Sequence, residues 1–153
     1  MEIRDGIDKK NIDELIAYSA NDLDVAKFTS DRTRFASQES FDRWISKGRT
    51  IYSLVNDSEN LIGITWFGYS EGGFTLAIRL YGEARGKGLA GWFLKETMDR
   101  FMKTEEYSKG ESQSFWLEVS KDNLPAVKTY EKLGFKFERE GTEPNKMILS
   151  LYK

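Results

Sequence analysis

The sequence predicts one mixed α/β domain, on three observations. Its 153 residues suit a single domain with a genuine core and are too few for two ordinary ones. Strand-like and helix-like patterns mix along the whole chain, with no linker rich in Pro, Gly or Ser and no internal repeat, so residues 1–153 read as one unit. A three-strand meander in the first half is followed by helix, strand, helix and two more strands, which combines both element types in one body.

Each element has its own signal. A short strand covers Met1 to Arg4. Asn11 and Glu14 have the spacing of a capping box, and Ile12, Leu15 and Ile16 supply an apolar stripe beyond it, which predicts a first helix. Ser37 caps a second helix with Phe41, Trp44 and Ile45 at i, i+3, i+4, and Gly48 stops it. The intervening LDVAKFTSDRTRFAS carries no clear period. TIYSLV and LIGITWF read as strands around the turn NDSEN, and YSEGG leads into a third strand, FTLAIRLY. A long helix follows, with Ala90, Phe93, Leu94, Thr97 and Phe101 on one face. After the polar stretch TEEYSKGESQ come a strand, SFWLEVS, and a helix that starts at Asp122 or Asn123, has Pro125 in its first turn and ends at Gly134. FKFERE and KMILSLY are the last two strands, around GTEPN.

Composition removes several function classes. Lys plus Arg total 23 against 25 for Asp plus Glu, a formal net charge of -2, so no global basic field exists to hold a nucleic acid. Cys and His both count 0, which excludes disulfides, thiolate nucleophiles, thiolate or imidazole metal sites and any Ser-His-Asp arrangement. The charged start MEIRDGIDKK is unlike a secretory signal, and LIGITWF is too short to cross a bilayer; the expectation is a soluble cytoplasmic protein without membrane or metal.

Two stretches can carry chemistry. The first is RGKGLAGWFLKETM, residues 85 to 98, where two cations and three glycines immediately precede a helix. A helix start offers free N–H groups and about half a positive charge, and glycines let a ligand approach the backbone, so an anionic phosphate fits there. The same glycines also suit a tight strand-to-helix turn with two solvated cations. Gly86, Gly88 and Gly91 match G-x-G-x-x-G literally, but an acidic residue about 20 positions on falls near Glu111, inside a polar loop, which disfavours a dinucleotide-dependent oxidoreductase.

The second stretch is FWLEVSKDNLPAVKTYEKLGF, residues 115 to 135. With it the sequence resembles the GNAT superfamily of N-acetyltransferases. Arg85, Gly88 and Ala90 match that family's R-x-x-G-x-G/A signature after its fourth strand. Residues 115 to 135 are similar to the strand, Asn, helix, Tyr and Leu-Gly-Phe ending that follows in such proteins, about thirty residues later. The LEV run and Tyr130 resemble the branch that acetylates the N-termini of ribosomal proteins.

That resemblance implies a three-layer α/β/α sandwich with about four helices and about seven strands in a mixed, largely antiparallel sheet splayed between strands 4 and 5. It implies acetyl-CoA as co-substrate, lying in the splay. The pyrophosphate would meet backbone N–H groups of Arg85, Gly86, Lys87, Gly88, Leu89 and Ala90, and the pantetheine the main chain of Ile78, Arg79 and Leu80. Asn123 would contact the pantetheine as well, although it is also a natural N-cap. Tyr130 would protonate the departing thiolate, a transfer that a thiol pKa of about 8.5 and a tyrosine pKa of about 10 permit. The alternative for Tyr130 is a core aromatic on the stripe of Ala126, Tyr130 and Leu133.

The reaction implied is transfer of acetyl to a primary amine by direct attack in a ternary complex, in a monomer or homodimer. Glu118 is the candidate base; on its strand it shares a face with Trp116 and Ser120, opposite Phe115, Leu117 and Val119. Ordered water is the alternative. Neutralising an α-amine (pKa about 8) at pH 7 costs about 1.4 kcal/mol against about 4.6 for a lysine, which favours a protein N-terminus or small amine as acceptor. Phe35, Trp66 and Tyr69 are aromatic candidates for the acceptor pocket. A CoA-binding sensor or scaffold with little catalysis is the competing function.

Overall fold

The computed structural model describes residues 1–152. Seven strands form one sheet: β1 (Glu2–Asp5), β2 (Thr50–Val55), β3 (Leu61–Ser70), β4 (Gly73–Leu80), β5 (Phe115–Ser120), β6 (Lys136–Glu140) and β7 (Lys146–Leu151). Their spatial order is β1-β2-β3-β4-β5-β7-β6. Every neighbouring pair is antiparallel except β4 and β5, which run parallel. The mixed, largely antiparallel sheet of seven strands follows the expectation.

Helices cover both faces. They are α1 (Lys9–Asn21), α2 (Leu23–Phe28), α3 (Asp31–Arg34), α4 (Gln38–Ile45), α5 (Leu89–Phe101), α6 (Glu105–Ser108) and α7 (Leu124–Lys132). Four of these are sizeable, and the three short ones lie in the two stretches that lack a legible period. α2 and α3 fill the unassigned segment between the first two long helices, and α6 lies in the polar stretch after α5.

Strand alternation sorts side chains into two cores. Phe74 and Leu76 of β4 with Phe115, Leu117 and Val119 of β5 pack against Leu94, Met98 and Phe101 of α5 and Tyr130 of α7. On the opposite face, Ile51, Ile64 and Trp66 meet Ile12 and Leu15 of α1, Phe35, and Phe41 and Trp44 of α4. Fully buried aromatics such as Phe67 and Phe101, stacked at 4.5 Å, contribute on the order of 3–5 kcal/mol each against truncation to Ala. The result is a three-layer sandwich.

One boundary signal belongs to a different residue. Asp8, not Asn11, caps α1, its carboxylate accepting from the Asn11 amide at 3.0 Å. Asn11 lies inside the first turn and donates from its side chain to Glu14 at 2.8 Å. Ser37 does cap α4, accepting from the Ser40 amide.

Candidate active site

The parallel pair at the centre of the sheet is short. β4 and β5 align only at Phe74 with Phe115 and Thr75 with Trp116, and then the strands part. On its other edge β4 stays paired with β3 along its full length, from Gly73 opposite Ser70 to Leu80 opposite Gly63. The Phe74 amide donates towards β5, to the Ser114 carbonyl at 2.9 Å. Backbone groups alternate sides along a strand, so the amides and carbonyls of Ile78 and Leu80 face the gap. Their side chains pack into apolar clusters.

The gap opens into a cleft of about 290 Å³. One wall is Leu117 to Ser120 of β5 with Asn123, Ala126 and Tyr130 at the start and along one side of α7. The floor is Thr75 to Arg79 of β4, and the far wall carries Phe28, Thr29, Arg34, Trp44, Arg49 and Trp66.

Above the gap lies the start of α5. Gly86 and Gly88 have φ of 72° and 70°, a left-handed conformation that costs a residue with a Cβ about 1–2 kcal/mol. A Cβ built on Gly86, Gly88 or Gly91 would meet no atom within 4 Å, so this turn is open to a ligand. Side chains of Asp8, Asp22, Ser37 and Thr104 cap α1, α2, α4 and α6, whereas the N-caps of α3, α5 and α7 (Ser30, Gly88 and Asn123) make no side-chain capping bond. The start of α5 thus keeps first-turn amides for a guest such as a diphosphate, whereas at α7 the Leu124 amide donates to the Asp122 carbonyl at 3.0 Å and Pro125 has no N–H to offer. Leu89 and Ala90 open α5 and continue this surface.

The charged side chains of the glycine turn point elsewhere. Arg85 donates to the Leu80 carbonyl at 2.8 Å and pairs with Asp22 at 2.9 Å and Asp24 at 3.6 Å, tying the turn to α2 and its cap. Lys87 lines a separate surface pocket beside Asp57 and Glu83. An anion at this turn would therefore meet backbone amides rather than these side chains.

Asn123 occupies the N-cap position of α7, yet its side chain makes no capping bond and lines the cleft. Tyr130 is 5% exposed, and burial pushes its phenol pKa upward against a smaller opposing effect of Arg79. It belongs to the core and to the cleft wall at once. Glu118 also lines the cleft, on the face opposite Leu117 and Val119, and both its oxygens accept from Thr142: Oε2 from the amide at 2.7 Å and Oε1 from the hydroxyl at 3.0 Å. The loop between β6 and β7 thereby holds the carboxylate in place.

Arg79 departs from a purely main-chain part. Its guanidinium grips Asp31 of α3 through Nε at 2.6 Å and Nη2 at 3.1 Å, and donates from Nη1 to the Ile78 carbonyl at 3.0 Å. Asp31 is fully buried and also takes Arg34 at 2.6 Å. Burial alone would lower the Arg79 pKa, but Asp31 outweighs it and the guanidinium is held more strongly protonated than usual. The family resemblance implies acceptor contacts around Thr29 to Ala36, a segment that contains Asp31 and Arg34, but the sequence singles out neither of them, nor Arg49; the Asp31–Arg34 spacing of i, i+3 is their one local trace. Of the aromatic candidates, Trp66 lines the cleft, Phe35 lies behind it fully buried, and Tyr69 is exposed against Phe74.

Comparison with known proteins agrees with this architecture. Residues 6–136 match the family model described as an acetyltransferase (GNAT) domain. A domain from Methanocaldococcus jannaschii DSM 2661 is similar in structure with a TM-score of 0.74 at 19% identity, covering 98% of this chain and 96% of its own. Spermidine N-acetyltransferase from Vibrio cholerae, in a complex with CoA and spermine, has a TM-score of 0.73 at 17% identity, covering 97% of this chain and 92% of its own. No curated protein matches in sequence. A family match over most of its length and a sheet that parts at β4 and β5 show that this chain belongs to the GNAT acetyltransferase family.

Proposed function

We propose that the protein transfers acetyl from acetyl-CoA to a primary amine by direct attack within a ternary complex. The observation that carries this reading is the parted β4–β5 pair beneath an uncapped, glycine-opened helix start. Residues Gly86 to Ala90 would hold the pyrophosphate through their backbone amides, whereas the Arg85 amide expected to join them donates to the Gly82 carbonyl at 3.2 Å; the edge of β4 from Ile78 to Leu80, with Asn123, would hold the pantetheine arm. The Ile78 or Leu80 amide would polarise the thioester carbonyl as an oxyanion donor does.

In the step proposed, the amine nitrogen bonds to the acetyl carbon and the carbon–sulfur bond breaks. The nitrogen's proton passes to Glu118, directly or through water, and the thiolate takes a proton from Tyr130. The phenol is protonated at neutral pH, as a donor must be, although burial widens the gap between its pKa and that of the thiol. The chain contains no cysteine, so an acyl-cysteine intermediate is excluded. Similarity of the LEV run and Tyr130 to the ribosomal-protein N-terminal branch supports an α-amine acceptor, on a peptide or a small molecule.

Thermal shift and calorimetry with acetyl-CoA, followed by a thiol-release screen over amines, test the reading. Binding and turnover are expected, and Tyr130→Phe should lower kcat about a hundredfold while keeping CoA affinity. Absence of CoA binding would overturn the proposal. An unchanged kcat in the variant would remove the tyrosine from the chemistry.

A further inference from the structure

The acceptor side of the cleft carries a charge pattern that the transfer reaction itself does not need. Arg34, Arg49 and Arg79 all line it, and the guanidiniums of Arg34 and Arg79 lie 5.2 and 4.9 Å from the Trp66 ring centroid. Arg49 stacks on Trp44 at 5.5 Å, and Trp44 meets Trp66 edge to face at 5.1 Å. Three cations are therefore fixed on one aromatic platform. Facing them are two carboxylates, Asp31 behind the floor and Glu118 across the cleft, which leaves one positive charge in excess.

The carboxylates are already engaged. Asp31 spends Oδ2 on Arg79 and Oδ1 on both Arg79 and Arg34, and Glu118 is bound by Thr142. Arg34 keeps donors beyond the one it gives Asp31, since a guanidinium has five. Burial lowers the Arg34 pKa, and the like charges of Arg79 and Arg49 add to that, so Asp31 alone does not neutralise the group. A second anion would complete the set.

Resting on the acetyltransferase reading, we propose that the acceptor is an amine bearing its own carboxylate or equivalent oxyanion, which Arg34 and Arg49 bind while the amine faces Glu118. Such an acceptor has opposite charges at its two ends, as the cleft does. A polyamine would instead place its distal ammonium against guanidiniums, a like-charge contact that raises rather than lowers the free energy of binding. The carboxylate can belong to a free α-amino acid or to an acidic side chain beside a peptide's N-terminus.

The test compares matched acceptors at saturating acetyl-CoA: glycine and glutamate against their α-amides, Glu-initiated against Gln-initiated peptide amides, and putrescine and spermidine. The free-acid arms identify an amino acid, and the peptide arms identify a side-chain carboxylate. Carboxylate-bearing acceptors should have kcat/KM at least about tenfold above their neutral partners. Arg49→Gln should erase that preference by raising KM for the acid alone, and rescue by Arg49→Lys should be partial because the planar fork is lost. Melting curves of both variants control for folding. Faster turnover of polyamines or amides than of acids would overturn the inference while leaving the acetyltransferase intact. Were no amine turned over, N-acetylglutamate and N-acetylglycine in the presence of CoA should still raise the melting temperature of wild type and not of Arg49→Gln; no such shift would also overturn it.

Discussion

Arg79 on β4 and Asp31 on α3 form a two-point ion pair, at 2.6 and 3.1 Å, that joins the sheet to the helical layer across 48 residues of sequence. Asp31 is fully buried, so removing it leaves Arg79 and Arg34 with uncompensated charge. Breaking a buried pair from one side costs about 3–5 kcal/mol, whereas its net contribution against an apolar replacement is small. Asp31→Asn is therefore expected to lose about that much in urea unfolding, and more than either Arg49→Gln or Lys95→Gln, whose side chains are less buried. A loss below about 1 kcal/mol would show that water or a neighbour compensates the arginines.

Gly88→Ala separates backbone strain from ligand space. Its φ of 70° should cost about 1–2 kcal/mol of stability, with no steric clash in the free protein. The added methyl would occupy the space assigned to the diphosphate, so calorimetry should show acetyl-CoA affinity falling by about tenfold or more, beyond what reduced stability explains. Gly91→Ala, at an ordinary helical position with open space for the methyl, should instead stabilise by about 0.5–1 kcal/mol.

Glu118→Gln tests the base. The amide can still accept from Thr142 but cannot take a proton, so kcat should fall by about tenfold to a hundredfold with CoA affinity unchanged. If water is the true acceptor, kcat will hold and only the pH profile will move. Thr142→Val removes one of the two bonds to the carboxylate and should raise acceptor KM more than it lowers kcat.

Alkaline stability follows from buried phenols. Burial raises Tyr130 and Tyr81, and raises Tyr52 to about 12, against an ordinary value of 10.0. Below pH 10 these groups are protonated in both folded and unfolded chains, so they give no slope. Between pH 10 and about 12 the unfolded chain loses the protons that the native state retains, and stability falls. Urea unfolding should therefore weaken steeply above pH 10, and less steeply in Tyr52→Phe.

Long periodic elements were legible in the sequence because burial writes a pattern over several turns. The stripe of α5, the Ser37 cap and the alternation of Phe115, Leu117 and Val119 all have their counterparts in the structure. α2 and α3, at 6 and 4 residues, are too short to repeat an apolar position, so the segment that carries Asp31 and Arg34 has no period to read. The α1 start was misplaced because Asp8 and Asn11 are both good cap residues three apart, and only geometry chooses between them. Glycines 86 and 88 marked the open, left-handed turn before α5, but nothing local revealed that Arg85 would reach Asp22, or that Arg49 would settle on Trp44.

Where β4 leaves its parallel partner, consecutive peptide groups of one strand face different surroundings. Arg79 lies within the ladder to β3, while the N–H groups of Ile78 and Leu80 look into the open seam. Deuterium should enter this strand in a comb, fast at the second set and slow at the first, and a bound extended arm would act as a borrowed strand that levels the teeth.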